Sequence, residues 1–260
     1  MALEPIQYLL GAASGGLVGF TLALVGGGGS ILAVPLMVYL VGVADPHVAI
    51  GTSALAVAAN AATGLINHAR AGCVKWRCGF MYAGAGILGA FAGSTAGKAF
   101  DGRKLLFLFA IVMLIVGALM LKSRRDLGSA GAECNRENAP KVLGYGLGTG
   151  LFSGFFGIGG GFLIVPGLIG STGMPILFAI GTSLIAVTAF GLTTAINYAV
   201  SGLIDWPLAL IFIAGGILGG VLGARVAKRL SGTTGRLTTV FAAIIFSVAG
   251  YMIWESLAGR

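Results

Sequence analysis

Apolar stretches of about 17–25 residues follow one another along almost the whole chain, and each is long enough to cross a hydrocarbon core of roughly 30 Å as a helix. The pattern predicts an apolar segment over 6–25 that meets the glycine run Gly26–Gly29, and a second apolar piece over 31–43. Helices over 47–69, 77–97 and 104–121 follow, then a polar stretch at 122–140, KSRRDLGSAGAECNRENAP. The order then recurs, with a glycine-broken segment over 141–169 and helices over 176–200, 206–228 and 236–256.

The recurrence extends to individual residues. GTSALAV at 51–57 returns as GTSLIAV at 181–187, and GGGGSILAVP at 26–35 answers to GIGGGFLIVP at 157–166. GCVKW at 72–76 matches GLIDW at 202–206, GILGA at 86–90 matches GILGG at 216–220, and Asn67 matches Asn197. The offset is 131 at the glycine block and 130 elsewhere, so the chain reads as two copies of a unit of about 130 residues. The expected organisation is a first transmembrane repeat at 1–121, a linker at 122–140 and a second repeat at 141–260. The expected fold is an all-α polytopic membrane protein, each repeat holding a glycine-broken or hairpin first segment and three transmembrane helices. Duplicated membrane folds place substrate at the repeat interface near the bilayer midplane.

The glycine runs decide the relative orientation of the copies. If each first segment crosses once, the repeats are parallel and the 16 Lys and Arg divide 9 against 7. If it folds back at the glycines, the repeats are inverted and loops 70–77, 122–141 and 225–236 share one side. The division is then 12 against 4, with Lys98, Arg103, Lys104 and Arg260 on the far side. Cytoplasmic loops carry an excess of Lys and Arg. Charge therefore favours inverted repeats with both termini outside.

Composition agrees with the medium: 57% of residues are hydrophobic and 9% charged, against roughly 25% charged in soluble domains. The expected location is a prokaryotic cytoplasmic membrane. MALEPIQYLL lacks a basic n-region and a small-residue cleavage site, so the first segment reads as structure and not a removable signal. The net charge of +8 would suggest nucleic acid in a soluble chain, but here the basic residues lie at segment ends and report topology. Cys73, Cys78 and Cys134 form an odd set without zinc-type spacing, which implies neither a disulfide framework nor a metal site. A Cys73–Cys78 redox pair is the one thiol chemistry the spacing leaves open.

Candidate chemistry sits where apolar segments carry glycines or polar residues. Non-helical backbone is tolerated at membrane depth only where it is buried in protein or lines a wet cavity. The turns Gly26, Gly27, Gly28, Gly29, Ser30 and Gly157, Gly159, Gly160, Gly161 are therefore expected to face inward. Successive turn amides and a following helix N-terminus can hold a small anion without a buried Lys or Arg. The alternative is that the glycines only permit close helix packing.

A polar stripe follows on one face of the next helix, Ser53, Asn60, Thr63 and Asn67, answered by Ser183, Thr193 and Asn197 in the second copy, with Thr52 and Thr182 preceding the serines as further candidates. It lines a substrate route or bonds neighbouring helices. Phe190 stands where Asn60 would recur, so a central site is not symmetric. Every carboxylate lies at a segment end or in a loop. His68 is left as the titrating group nearest a cavity, with Arg70 at its mouth, as candidates for coupling or gating. Two histidines and no buried carboxylate offer no nucleophile–base or metal set, so an intramembrane enzyme is disfavoured and no cofactor is expected.

The duplicated apolar chain, the GFTLALVGGGGSILAVP and GLFSGFFGIGGGFLIVP blocks, the GTS helices with Asn67 and Asn197, and the G-x-[VI]-x-W turns resemble the TauE/SafE sulfite-exporter family across essentially the whole chain. The resemblance implies a permease for small sulfur-containing anions such as sulfite, thiosulfate or organosulfonates, with partners limited to that anion and the lipid bilayer. Ser30 stands opposite Gly161 in the motif, a departure from equal turns. A passive anion channel and a carrier of a neutral solute are the alternatives.

Overall fold

The computed structural model describes residues 4–122, 134–135, 137–159, 161–229 and 234–257, and every element among them is helical. The first segment is α1 (Pro5–Val25). It is followed by a 3-10 helix (Gly26–Leu32), a single turn α2 (Ala33–Pro35) and a π-helical turn (Leu36–Leu40). Then come α3 (Pro46–Arg70), α4 (Trp76–Lys98) and α5 (Gly102–Lys122). The second half gives α6 (Ala139–Phe156), α7 (Gly161–Thr172), α8 (Ile176–Val200), α9 (Trp206–Arg229) and α10 (Thr234–Leu257). Four helices among the described residues are long and apolar enough to cross a membrane, within α1, α3, α8 and α9.

Local chemistry fixes the boundaries. Asp45 caps α3 by accepting from the His47 amide at 2.8 Å, with Pro46 in the first turn, where a missing N–H costs nothing. Gly157 ends α6 at φ 67°, its amide donating to Gly154 O while Ile158 N donates to Ser153 O, both at 3.2 Å. That is a left-handed glycine cap satisfying the last carbonyls of the helix. The second apolar piece expected over 31–43 is not one helix. Pro35 supplies no amide to the ladder, and the chain changes from 3-10 through α to π winding around it.

Side-by-side pairs give the direction of each helix. Gly11, Gly15 and Gly19 of α1 face Leu208, Phe212 and Gly216 of α9, so the two run parallel. Gly146, Gly150 and Gly154 of α6 face Tyr82, Gly86 and Ala90 of α4, again parallel. The backbones touch, and a Cβ on Gly19 would lie on the Gly216 carbonyl. By contrast Gly51, Gly64 and His68 of α3 face Tyr198, Leu184 and Gly181 of α8, so α3 and α8 run antiparallel.

Both glycine runs are the tips of hairpins. Gln7 Nε2 donates to Val41 O at 3.0 Å, and Gly29 packs on Thr21 and Leu22, so the stretch after the glycines returns along α1. In the second half Gly167 packs on Thr149 and Tyr82, and Gly170 on Tyr145, so α7 returns along α6. Each first segment therefore comes back to the face it started from. The loops 71–75 and 173–175 and the start of α6 lie on one face, called A, whereas the starts of α1, α3 and α9 lie on the other, B.

The cysteines correct the sequence reading. Cys78, at the start of α4, is bonded to Cys134 of the linker with Cα atoms 5.4 Å apart, and Cys73 is free. The pairing joins residues 56 apart, which no local spacing rule reveals.

Candidate functional site

Between α1, α3, α8 and α9 lies a cavity of about 60 Å³. Gly19, Leu22 and Ala23 line it from α1, Leu184 from α8, and Gly216, Ile217 and Gly220 from α9. The polar lining comes from α3: Asn60, Thr63, Asn67 and His68. Spacings of three and four residues put Asn60, Thr63 and Asn67 on a single stripe running toward face A, where Asn67 is exposed and His68 lines the cavity beside it.

Asn60 is the anomaly in this stripe. It is 3% exposed, and neither Nδ2 nor Oδ1 has a hydrogen-bond partner. A buried amide left unpaired costs about 1–3 kcal/mol, and native interiors seldom leave one so. Its side chain lies over Gly216, whose missing Cβ makes the room. In the other half the corresponding pair is Phe190 over Gly86, and the ring fills the space. One half thus holds a polar cavity and the other an apolar plug.

The remaining stripe residues do other work. Thr52 Oγ1 accepts from Asp205 N and Thr182 Oγ1 from Lys75 N, both at 3.0 Å, so the two threonines brace the starts of α9 and α4 across the halves. Ser53 and Ser183 are fully buried and donate to their own helices, at Ile50 O and Ile180 O. Thr193 donates to Ala189 O at 2.8 Å. Asn197 is held on α4, donating to Ser94 Oγ at 2.6 Å and Thr95 Oγ1 at 3.0 Å while accepting from Lys98 Nζ at 2.8 Å. Arg70 is exposed and outside the cavity lining.

The two glycine turns differ in conformation, as the mismatch of Ser30 with Gly161 leads one to expect. Gly159 has φ 66° and lies against Val57 and Val187, the midpoints of α3 and α8. The amides of Gly157 and Ile158 are spent closing α6. Gly26, Gly27 and Gly28 belong to a right-handed 3-10 helix, a conformation open to any residue, and Gly29 is needed for close approach to α1. Ser30 is fully buried. Gly161 opens α7, and Gly160 lies outside the described residues. Gly29, Ser30, Gly157, Gly159 and Gly161 are not among the described residues that line the cavity, which reaches Leu22 and Ala23 just before the first run.

Sequence reasoning missed Lys98, whose ammonium joins α4 to the end of α8. The available signal was its recurrence as Lys228 at the offset of 130.

Comparison with known proteins gives the chemistry a setting. The family model described as sulfite exporter TauE/SafE matches residues 11–252. A probable membrane transporter protein of Xylella fastidiosa is 53% identical, covering 99% of this chain and 98% of its own length. The probable membrane transporter protein YunE of Bacillus subtilis is 25% identical over 90% of this chain and 93% of its own. A probable membrane transporter protein of Methanocaldococcus jannaschii is 26% identical over 89% of each. No solved structure matches. With its apolar helices, these relatives make the chain an integral protein of the prokaryotic cytoplasmic membrane, a transporter and not an enzyme. The chain belongs to the sulfite exporter TauE/SafE family of membrane transporters.

Proposed function

We propose that the protein carries a small sulfur-containing anion, such as sulfite, thiosulfate or a short organosulfonate, across the membrane between two inverted repeats. The observation that carries the reading is the buried, unpartnered amide of Asn60 in a polar cavity. Its Nδ2 offers two N–H donors, Thr63 and Asn67 extend the polar route toward face A, and among the described residues no carboxylate lines the cavity to attract a cation. The family name agrees with such a cargo. The volume of about 60 Å³ suits an ion of a few heavy atoms.

Inversion is supported by the antiparallel packing of α3 on α8. These helices carry the matching GTS blocks, and copies related by an axis along the membrane normal would run parallel there. Reciprocal contacts at the repeat offset support the duplication itself: Thr52 with Asp205 mirrors Thr182 with Lys75, and Gly15 with Phe212 mirrors Gly146 with Tyr82. The test of the cargo is a thermal-shift and equilibrium-binding screen of purified protein against sulfite, sulfate, thiosulfate, sulfoacetate and taurine. Stabilisation by a sulfur oxyanion, lost in Asn60→Leu, is the expected result. Equal indifference to all five would overturn the reading.

A further inference from the structure

Among the described residues that line the Asn60 cavity, His68 is the side chain that can gain a charge. Its backbone is fixed: His68 O accepts from Cys73 N at 3.0 Å, and a Cβ on Gly181 of α8 would lie 3.4 Å from His68 Cβ. Its ring is half-buried at the cavity wall and makes no hydrogen bond among the described residues. One ring nitrogen therefore keeps an N–H to donate, and the other is open to a proton. The charged and titratable groups near it are Arg70 on α3, Cys73 and Lys75 in the turn that follows, and Arg225 next to the lining residue Ala224 of α9. α1 and α8 bring none at this level, since Tyr8 and Tyr198 stand at their face B ends.

We propose that His68 makes anion loading proton-linked: as a small oxyanion enters the cavity, the imidazole takes up one proton from water at face A, and the two bind together. The proposal rests on the reading of the Asn60 cavity as an anion site. An anion entering alone brings an uncompensated charge out of water, which is costly. A proton entering alone makes a cation beside Arg70, Lys75 and Arg225, with no carboxylate in the described lining to balance it. Together the two charges offset each other at short range, where attraction is several-fold stronger than in bulk water. Asn67, exposed beside the ring, keeps it in reach of water at face A. The coupling is reciprocal, so protonation strengthens anion binding by the factor by which the anion strengthens protonation. Histidine is the side chain whose charge changes in the physiological range.

Calorimetric binding of thiosulfate and sulfoacetate to the full protein in lipid nanodiscs, between about pH 6 and 8, tests the linkage. Both probes keep their charge over this range, whereas sulfite takes up a proton of its own. Wild-type affinity is expected to rise as pH falls, by up to about tenfold per pH unit, the limit for one linked proton. Titrations in buffers of different ionisation enthalpy are expected to show proton uptake approaching one per anion. His68→Gln is expected to bind at the weak, high-pH level of the wild type with no pH dependence, while His47→Gln and Cys73→Ser keep the wild-type profile. Should His68→Gln fail to fold, the chain's two histidines allow the His68 titration to be followed by NMR in the wild type, assigned against His47→Gln. That titration is expected to move to higher pH with anion bound. Anion binding by the wild type with constant affinity across the range, the wild-type profile in folded His68→Gln protein, or a His68 titration unmoved by anion would overturn the coupling alone. A His68-dependent profile with unchanged binding in Asn60→Leu would keep the coupling and remove Asn60 from the site. No binding of either anion at any pH would overturn the anion reading and the coupling with it.

Discussion

Asn60 is polar where every structural preference asks for an apolar side chain. Phe190, which stands 130 residues further on, fills the gap over Gly86 with its ring. Relieving a buried unpaired amide is worth about 1–3 kcal/mol, so Asn60→Leu is expected to raise the melting temperature while weakening anion binding about tenfold or more. Differential scanning fluorimetry and binding titrations on the one variant check both halves, and a lowered melting temperature would make Asn60 ordinary helix glue. Glycines at the two turns predict a contrast. At Gly159 a Cβ meets Val57 at 2.9 Å and Val187 at 3.3 Å with φ 66°. Strain of this kind costs about 1–3 kcal/mol, so Gly159→Ala is expected to lower the melting temperature clearly. Gly28→Ala, in a 3-10 helix, is expected to lower it less.

At the scale of elements, the sequence held most of the helix pattern. Caps such as Asp45 and Pro46, and apolar runs bounded by Gly72 and Gly202, set ends within a residue or two of those observed, because cap and turn chemistry is local. The polar stripe was legible as a stripe, but the partners of its members were not. Asn67 and Asn197 read alike in sequence, yet one is exposed at a cavity mouth and the other is bonded to α4, since the difference comes from α4 and α9 packing beside them. Asn197→Leu is expected to cost about 2–3 kcal/mol, because Lys98 loses a charge-assisted acceptor. Asn67→Leu is expected to leave stability nearly unchanged. Chemical denaturation of the two variants decides it, and equal losses would mean that the halves pack symmetrically here. The Cys78–Cys134 bond was illegible for the same reason, as it depends on where the linker returns over α4.

For the whole molecule, two features bear on which way face A looks. Of the basic residues among the described ones, nine (Arg70, Lys75, Arg77, Lys122, Lys141, Arg225, Lys228, Arg229 and Arg236) lie at that face and three (Lys98, Arg103 and Lys104) at the other, while Arg124, Arg125, Arg136 and Arg260 lie outside the described residues. Such an excess marks the cytoplasmic side. The Cys78–Cys134 disulfide also lies at face A, whereas disulfides persist mainly in oxidising compartments. Both cysteines are buried, 1% and 3% exposed, which shelters the bond from soluble reductants, and the charge distribution acts during insertion before any bond forms. We therefore place face A in the cytoplasm. Single cysteines at Ala71 and Ser201, in a Cys73→Ser background, are expected to react oppositely with a membrane-impermeant maleimide added outside intact cells, 201 labelled and 71 not. Labelling of both or neither would refute inverted repeats, and labelling of 71 alone would reverse the orientation.

The proposed transport takes a small sulfur oxyanion across this protein by way of the Asn60 cavity. Uptake of isotopically labelled sulfite into proteoliposomes, measured as exchange against unlabelled sulfite inside, tests that claim most directly. Saturable exchange by the wild type, reduced about tenfold or more in Asn60→Leu protein that remains folded, is the result predicted. Exchange no faster than in empty liposomes, or equal exchange by the two proteins, would contradict it.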